Sequence, residues 1–170
     1  MTPDGASPRD EVDRIVEAWR RERPDLDVAP LEVLSRVTRL ARHLDRARAA
    51  AFARHGLEGW EFDVLAALRR SGPPYQLSPG QLVAQTMVTS GTMTNRIDRL
   101  GARLLVRRLP DPADGRGVMV RLEPGGEELV DAALADLLTV ERDLLEALAA
   151  GDRATLADLL RQLTTRFDPP

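Results

Sequence analysis

Residues 89–103 read TSGTMTNRIDRLGAR. Met93, Ile97 and Leu100 fall at i, i+4 and i+7, the spacing of one buried helix face. Thr89 or Ser90 stands where an N-cap accepts a hydrogen bond from an otherwise unpaired backbone N–H. The other faces carry Ser90, Thr92, Thr94, Asn95, Arg96 and Arg99. Such a helix, anchored by its apolar face, can lay its polar N-terminal end in a groove of DNA. By itself the stretch reads more readily as an ordinary amphipathic helix with a solvated face, so its flanks must decide.

Upstream, Ser78 and Pro79 give an N-cap and a first-turn proline, and Leu82, Val83 and Met87 supply apolar positions. A short turn, MVTSG, joins that helix to the next, which is the helix-turn-helix pattern. The second helix is expected to end near Gly101. Downstream, LLVRRL (residues 104–109) and VMVRL (residues 118–122) are β-prone and flank the polar loop PDPADGRG, which contains an Asp-Gly turn signal. A β-hairpin directly after a helix-turn-helix is a wing. From Thr89 to Arg121 there are seven arginines against three acids, a local excess of +4 in a chain of net charge −3. Local clustering of this kind is the electrostatic footprint of phosphate contact. Arg116 sits at the wing tip, suited to a minor groove, where Asp114 can orient it. The DNA-facing set is therefore Thr89, Ser90, Thr92, Thr94, Asn95, Arg99, Asp114 and Arg116.

The remaining segments are helical. Residues 9–23 place Val12, Ile15, Val16 and Trp19 in one stripe, and Pro24 stops them. Residues 31–55 keep Leu31, Leu34, Val37 or Thr38, Ala41, Leu44, Ala47 and Ala51 at helical spacing. Residues 59–70 carry Trp60, Val64, Leu65 and Leu68 as apolar positions, with Asp63 on the side of Trp60 and Ala67. A carboxylate there is more often a surface group or half of an ion pair than part of a pocket. Gln76 to Ser78 can form a very short strand. Glu123-Pro124-Gly125-Gly126 reads as a break before a helix over residues 127–150, and Gly151-Asp152 breaks and recaps the chain before a last helix to Phe167. The expected organisation is a disordered tail (1–8), an added N-terminal helix and linker (9–30), a scaffold helix (31–58), a winged helix-turn-helix (59–123) and C-terminal dimerisation helices (124–170). The fold class is mainly α with a small β-hairpin. The apolar surface of the flanking helices exceeds what a monomer of this size hides easily, so a symmetric homodimer is expected.

Other classes are disfavoured. The chain has no cysteine and two histidines without a ligand-like pairing, so neither a metal nor another cofactor is expected. No nucleophile–base pair or phosphate loop points to an enzyme. No apolar run of about 18 residues or signal region is present, so the expectation is a cytoplasmic protein with no membrane partner. All 24 basic residues are arginine, a bias that extends to helices with no DNA role and carries no functional weight.

LSPGQLVAQTMVTSGTMTNRIDRL followed by LLVRRLPDPADGRGVMVRLEPGGEELV resembles the MarR family of transcriptional regulators. The matching features are the capped helix, the recognition helix ending Ile-Asp-Arg-Leu, the Asp114/Arg116 wing pair and the Leu-x-x-x-Gly step into the next helix. Leu122-Glu123 stands where the family usually has Leu-Thr. The resemblance implies a homodimer on double-stranded DNA at a pseudo-palindromic operator, acting as a repressor and released by a small anionic aromatic ligand. A finer resemblance is to the urate-responsive branch, in which a Trp on an added N-terminal helix, an Asp before the helix-turn-helix, an Arg on the recognition helix and an Arg at the wing base surround the ligand. It implies Trp19, Asp63, Arg96 and Arg108 as ligand-binding residues. Arg96 stays open between ligand, DNA and an ion pair. The alternatives are a phenolic or carboxylate ligand, or an interaction protein with the fold but no ligand response.

Overall fold

A computed structural model of the chain describes residues 9–112 and 117–167. The tail expected over residues 1–8 and the wing-tip residues Asp114 and Arg116 lie outside the described residues. The chain divides into two compact units, Met1–Arg46 and Ala47–Pro170.

In the first unit, α1 (Glu11–Glu22) precedes α2 (Ala29–Ala53), within which the unit boundary falls. Asp10 caps α1, accepting from the N–H groups of Val12 and Asp13 at 2.8 and 3.1 Å, while its own N–H donates to the Asp13 carboxylate at 2.8 Å. Val12, Val16 and Val28 form a small buried cluster with Leu31 against it. Arg36 of α2 binds both Asp10 and Asp13, at 2.8 and 2.7 Å, and Arg20 pairs with Glu32. Much of the expected α2 stripe lies open in the single chain. Leu34 and Val37 are exposed, and only Ala51 and Phe52, at the end of the helix, are buried.

The second unit holds the main core. It comprises the end of α2, α3 (Gly59–Arg70), β1 (Gln76–Leu77), α4 (Pro79–Thr86), α5 (Ser90–Ala102), β2 (Val106–Pro110), β3 (Val118–Leu122), α6 (Pro124–Leu145) and α7 (Ala150–Thr164). The three strands form an antiparallel sheet in the order β1-β3-β2, with Val106 opposite Leu122 and Gln76 opposite Arg121. This is the expected mainly helical winged helix-turn-helix, and β1 adds a third strand to the hairpin. Leu65, Leu68, Leu82, Met93, Ile97, Leu100 and Val120 are fully buried, so α3, α4, α5 and the sheet share one core. Phe52 and Phe62 stack with ring centroids 4.1 Å apart, tying the end of α2 to α3.

Three expected boundaries move, the first at the start of β2. The preceding helix ends at Ala102, where an end near Gly101 was expected, and closes with Leu104 in the left-handed region, φ 59°. The Leu104 and Leu105 N–H groups donate to the Gly101 and Leu100 carbonyls at 2.9 and 3.1 Å. That is a Schellman closure, with leucine where glycine is usual, and it delays the strand to Val106. Residues 123–126 are not a break. Glu123 is the N-cap, Pro124 starts α6, and Gly126 is buried inside the helix. The α6–α7 break falls at residues 146–149, so Gly151 and Asp152 lie in the first turn of α7 rather than recapping it.

Candidate nucleic-acid interface

The α4–α5 unit begins with reciprocal capping. The Gln81 N–H donates to Ser78 Oγ at 3.2 Å, and the Ser78 N–H donates to Gln81 Oε1 at 2.8 Å. Met87 ends α4 in the left-handed region at φ 51°, which sets the tight turn into α5. Thr89 is the N-cap of α5, so the choice between Thr89 and Ser90 is resolved. Its hydroxyl accepts from the Thr92 N–H at 3.4 Å and pairs with the Thr92 hydroxyl at 2.9 Å. Met93, Ile97 and Leu100 are buried, which fixes the helix by one face. Ser90, Thr92, Thr94, Asn95 and Arg99 all lie on exposed positions of the other faces.

The arginines are less free than their count suggests. Arg99 pairs with Glu58 at 2.7 Å, Arg103 with buried Glu61 at 2.7 Å, Arg107 with Glu123 at 2.8 Å and Arg108 with Asp98 at 2.5 Å. Arg121 donates to the neutral Gln76 amide oxygen at 2.8 Å. Arg96 stacks over Trp60 at 5.4 Å from the ring centroid. Three of the four paired carboxylates (Glu58, Glu61 and Glu123) lie outside the stretch in which charges were counted, so the local excess of +4 overstates the exposed positive charge.

Arg99 also lies over Trp60, at 4.6 Å, and the Trp60 Nε1–H donates to the second Glu58 oxygen at 2.7 Å. Hydrogen bonds from Trp60 first and Arg99 second hold the Glu58 carboxyl below its ordinary range. These residues and Thr92, Asn95 and Arg96 line an open cleft of about 570 Å³. Trp60, expected as an apolar position of α3, packs half-buried against the core and lies beneath two guanidinium groups. The sequence reading missed Glu58, Trp60 and Glu61. The usable signal was the i, i+3 spacing of Glu58 and Glu61 against the i, i+4 spacing of Arg99 and Arg103.

Of the expected ligand residues, the structure joins Arg108 to Asp98 on α5 and places Arg96 over Trp60. Asp63 is exposed on α3, and no contact joins it to Arg96 or Arg108 among the described residues. Trp19 lies on α1 of the first unit and is half exposed.

A family model for the MarR family matches residues 55–117, from the end of the scaffold helix to the wing. The HTH-type transcriptional regulator PecS of Dickeya dadantii is 39% identical over 150 residues, spanning 88% of this chain and 90% of the relative. The chain belongs to the MarR family. It superposes on a point mutant of Escherichia coli MarR in complex with operator DNA with a TM-score of 0.67 and 27% identity, over 81% of this chain and 99% of that one. Bordetella bronchiseptica BpsR, described in a mechanism for regulation of its DNA binding by 6-hydroxynicotinic acid, is 30% identical with a TM-score of 0.59, over 76% and 98% of the two chains. As a MarR-family member the chain is a DNA-binding transcriptional regulator and not an enzyme. Among the described residues, no helix is long and apolar enough to cross a membrane.

Proposed function

We propose that this MarR-family regulator binds a pseudo-palindromic operator as a homodimer, acts as a repressor, and leaves DNA when a small anionic aromatic ligand binds. In this reading Ser90, Thr92, Thr94, Asn95 and Arg99 face base edges and phosphates. Thr89 presents the start of the helix, and Asp114 and Arg116 form the wing tip. The observation that supports it is α5 itself, fixed through Met93, Ile97 and Leu100 while its opposite face stays open.

For the ligand, urate or a related purine is the first candidate, with Asp63, Arg96 and Arg108 on the second unit as its contacts. The Arg108–Asp98 pair gives this proposal a mechanism. An anion that draws Arg108 away removes a tie between β2 and the recognition helix, so binding energy at the ligand becomes a change in DNA affinity. Arg96, which has an aromatic rather than a carboxylate partner, is the recognition-helix arginine most readily given to an anion. Trp19, exposed on the first unit, is the residue the urate-branch resemblance adds, and it is tested separately. A second reading, favoured by the likeness to BpsR, takes a hydroxylated aromatic carboxylate in place of the purine.

The test is a mobility shift on the duplex upstream of the gene, titrated with urate, xanthine, salicylate and 6-hydroxynicotinic acid. Release by one of these is expected, with Arg108→Ala and Asp63→Asn retaining DNA binding but losing the response. Trp19→Ala is expected to weaken the response. A response unchanged in Arg108→Ala sinks the ligand assignment, and no shift on any duplex sinks operator binding.

A further inference from the structure

Glu58 lies just before α3, and each of its carboxylate oxygens is held by a side chain. One accepts from Arg99 Nη2 and the other from the Trp60 indole N–H, both at 2.7 Å. Glu58 and Arg99 are both more than half exposed, at 59% and 53%. An exposed pair of this kind adds only about 0–1 kcal/mol to a fold, so stability is a poor account of so specific an arrangement. Its position gives a better one. The arginine it holds is on the open face of the recognition helix, beside Thr92 and Asn95.

We infer that Glu58 is a specificity-determining residue and Trp60 a positioning residue for Arg99, together gating which DNA contacts that arginine makes. This rests on the reading of α5 as the DNA-facing helix. Glu58 and the DNA compete for the Arg99 guanidinium. A phosphate offers Arg99 little that the Glu58 carboxylate does not already supply, and it approaches against the negative charge of Glu58. A random duplex therefore gains little from Arg99. A guanine edge offers two acceptors in the fixed geometry that a guanidinium matches. Glu58 occupies only part of the guanidinium, so the remaining N–H groups can take such an edge with Glu58 in place. Trp60 supplies the flat support at 4.6 Å and holds Glu58 at its far oxygen, so the guanidinium meets the groove already oriented. Because the Glu58 carboxyl is held below its ordinary range, the gate remains charged at neutral pH.

Glu58→Gln removes the charge and keeps the shape, and its amide oxygen can still accept from Trp60. The full-length protein is measured on an operator selected from a randomised duplex pool and on a scrambled duplex, across a range of salt. The expected result for Glu58→Gln is tighter binding to the scrambled duplex, by about threefold as for one added phosphate contact. Its salt slope should steepen by about 0.9, and the ratio of operator to scrambled affinity should fall. Trp60→Phe keeps a ring and loses the indole N–H, so it is expected to move the ratio in the same direction by less. In an Arg99→Ala background the effect of Glu58→Gln should vanish. An unchanged affinity ratio in Glu58→Gln overturns the gate, as does an effect that survives in Arg99→Ala. If Arg99→Ala binds both duplexes like the unaltered protein, the DNA-facing reading of Arg99 fails along with the gate.

Discussion

Gly126 shows how one residue can be misread from sequence and settled by its surroundings. In the run Glu123-Pro124-Gly125-Gly126, two adjacent glycines look like a break. Both lie in the first turn of α6, and only the second is required there. A Cβ on Gly126 would stand 2.3 Å from the Leu105 carbonyl oxygen and 2.9 Å from a Leu122 methyl carbon, whereas one on Gly125 meets nothing within 4 Å. The Leu105 carbonyl cannot withdraw freely, because it accepts from the Glu123 N–H at 3.0 Å. Gly126→Ala is therefore expected to cost about 1–3 kcal/mol, as overpacking does. At roughly 2–4 °C for each kcal/mol, thermal unfolding should report it clearly. Gly125→Ala is the control and should leave the melting temperature unchanged or slightly raised. Equal behaviour of the two variants would refute the close-packing account.

At the scale of elements, periodicity located α3, α4, α5 and β3 well because each has its own apolar repeat, with a capping residue besides at the start of α4 and α5. Residues 59–70 were expected as a helix and α3 is Gly59–Arg70. What periodicity could not supply was pairing between elements. The partners of Arg99 and Arg103 are about forty residues upstream, on a helix start whose neighbours are fixed only by folding. The same limit hid Arg36, which clasps the cap of α1. That clasp makes a pH prediction. Hydrogen bonding from Arg36 first, aided by backbone N–H groups, lowers the Asp10 pKa from 3.8 to about 2, and Asp13 is lowered too, chiefly by the Asp10 N–H and then by Arg36. A lowered carboxyl pKa stabilises the folded form above the unfolded value and loses that contribution as pH falls through the folded one. The hold on α1 is thus expected to be complete above about pH 4 and to weaken towards pH 2. Hydrogen exchange along α1 would measure it. Asp10→Asn keeps a competent cap without the charge, so its α1 protection should be lower at neutral pH and flatter through the acid range. Identical acid profiles for the two proteins would remove Arg36–Asp10 as the cause.

For the molecule as a whole, the question left by the fold is where α7 puts its apolar side. α7 buries none of its residues, and Leu159, Leu160 and Leu163 are exposed along it, with Leu138, Leu144 and Leu145 exposed on α6. α6 buries Gly126, Val130, Ala133 and Leu137, and Leu129 packs partly buried against the same core, so the uncovered apolar side of α6 is that of Leu138, Leu144 and Leu145. An isolated 15-residue helix is marginal in water, and a leucine left in water forgoes about 1.5–3 kcal/mol. The repeat was legible in sequence, and its excess over what one chain can hide already pointed to a second copy, but which leucines stay open was not legible, because that depends on how the helices pack. A second copy answers both demands. In the proposed homodimer it would cover the stripe by two-fold symmetry and set two recognition helices one turn of DNA apart, roughly 34–36 Å. Leu159→Asp with Leu163→Asp decides the matter. On a monomer's surface such changes stay within about 0.5 kcal/mol and alter neither mass nor DNA binding. In a dimer interface they bury unpaired charge. Sedimentation of the unaltered protein is expected at twice the chain mass, with the variant falling to one chain mass and losing high-affinity operator binding while its winged region keeps its helical signal. A variant that still sediments as a dimer would place the interface elsewhere, and an unaltered protein that sediments as a monomer would remove the homodimer from the proposed function.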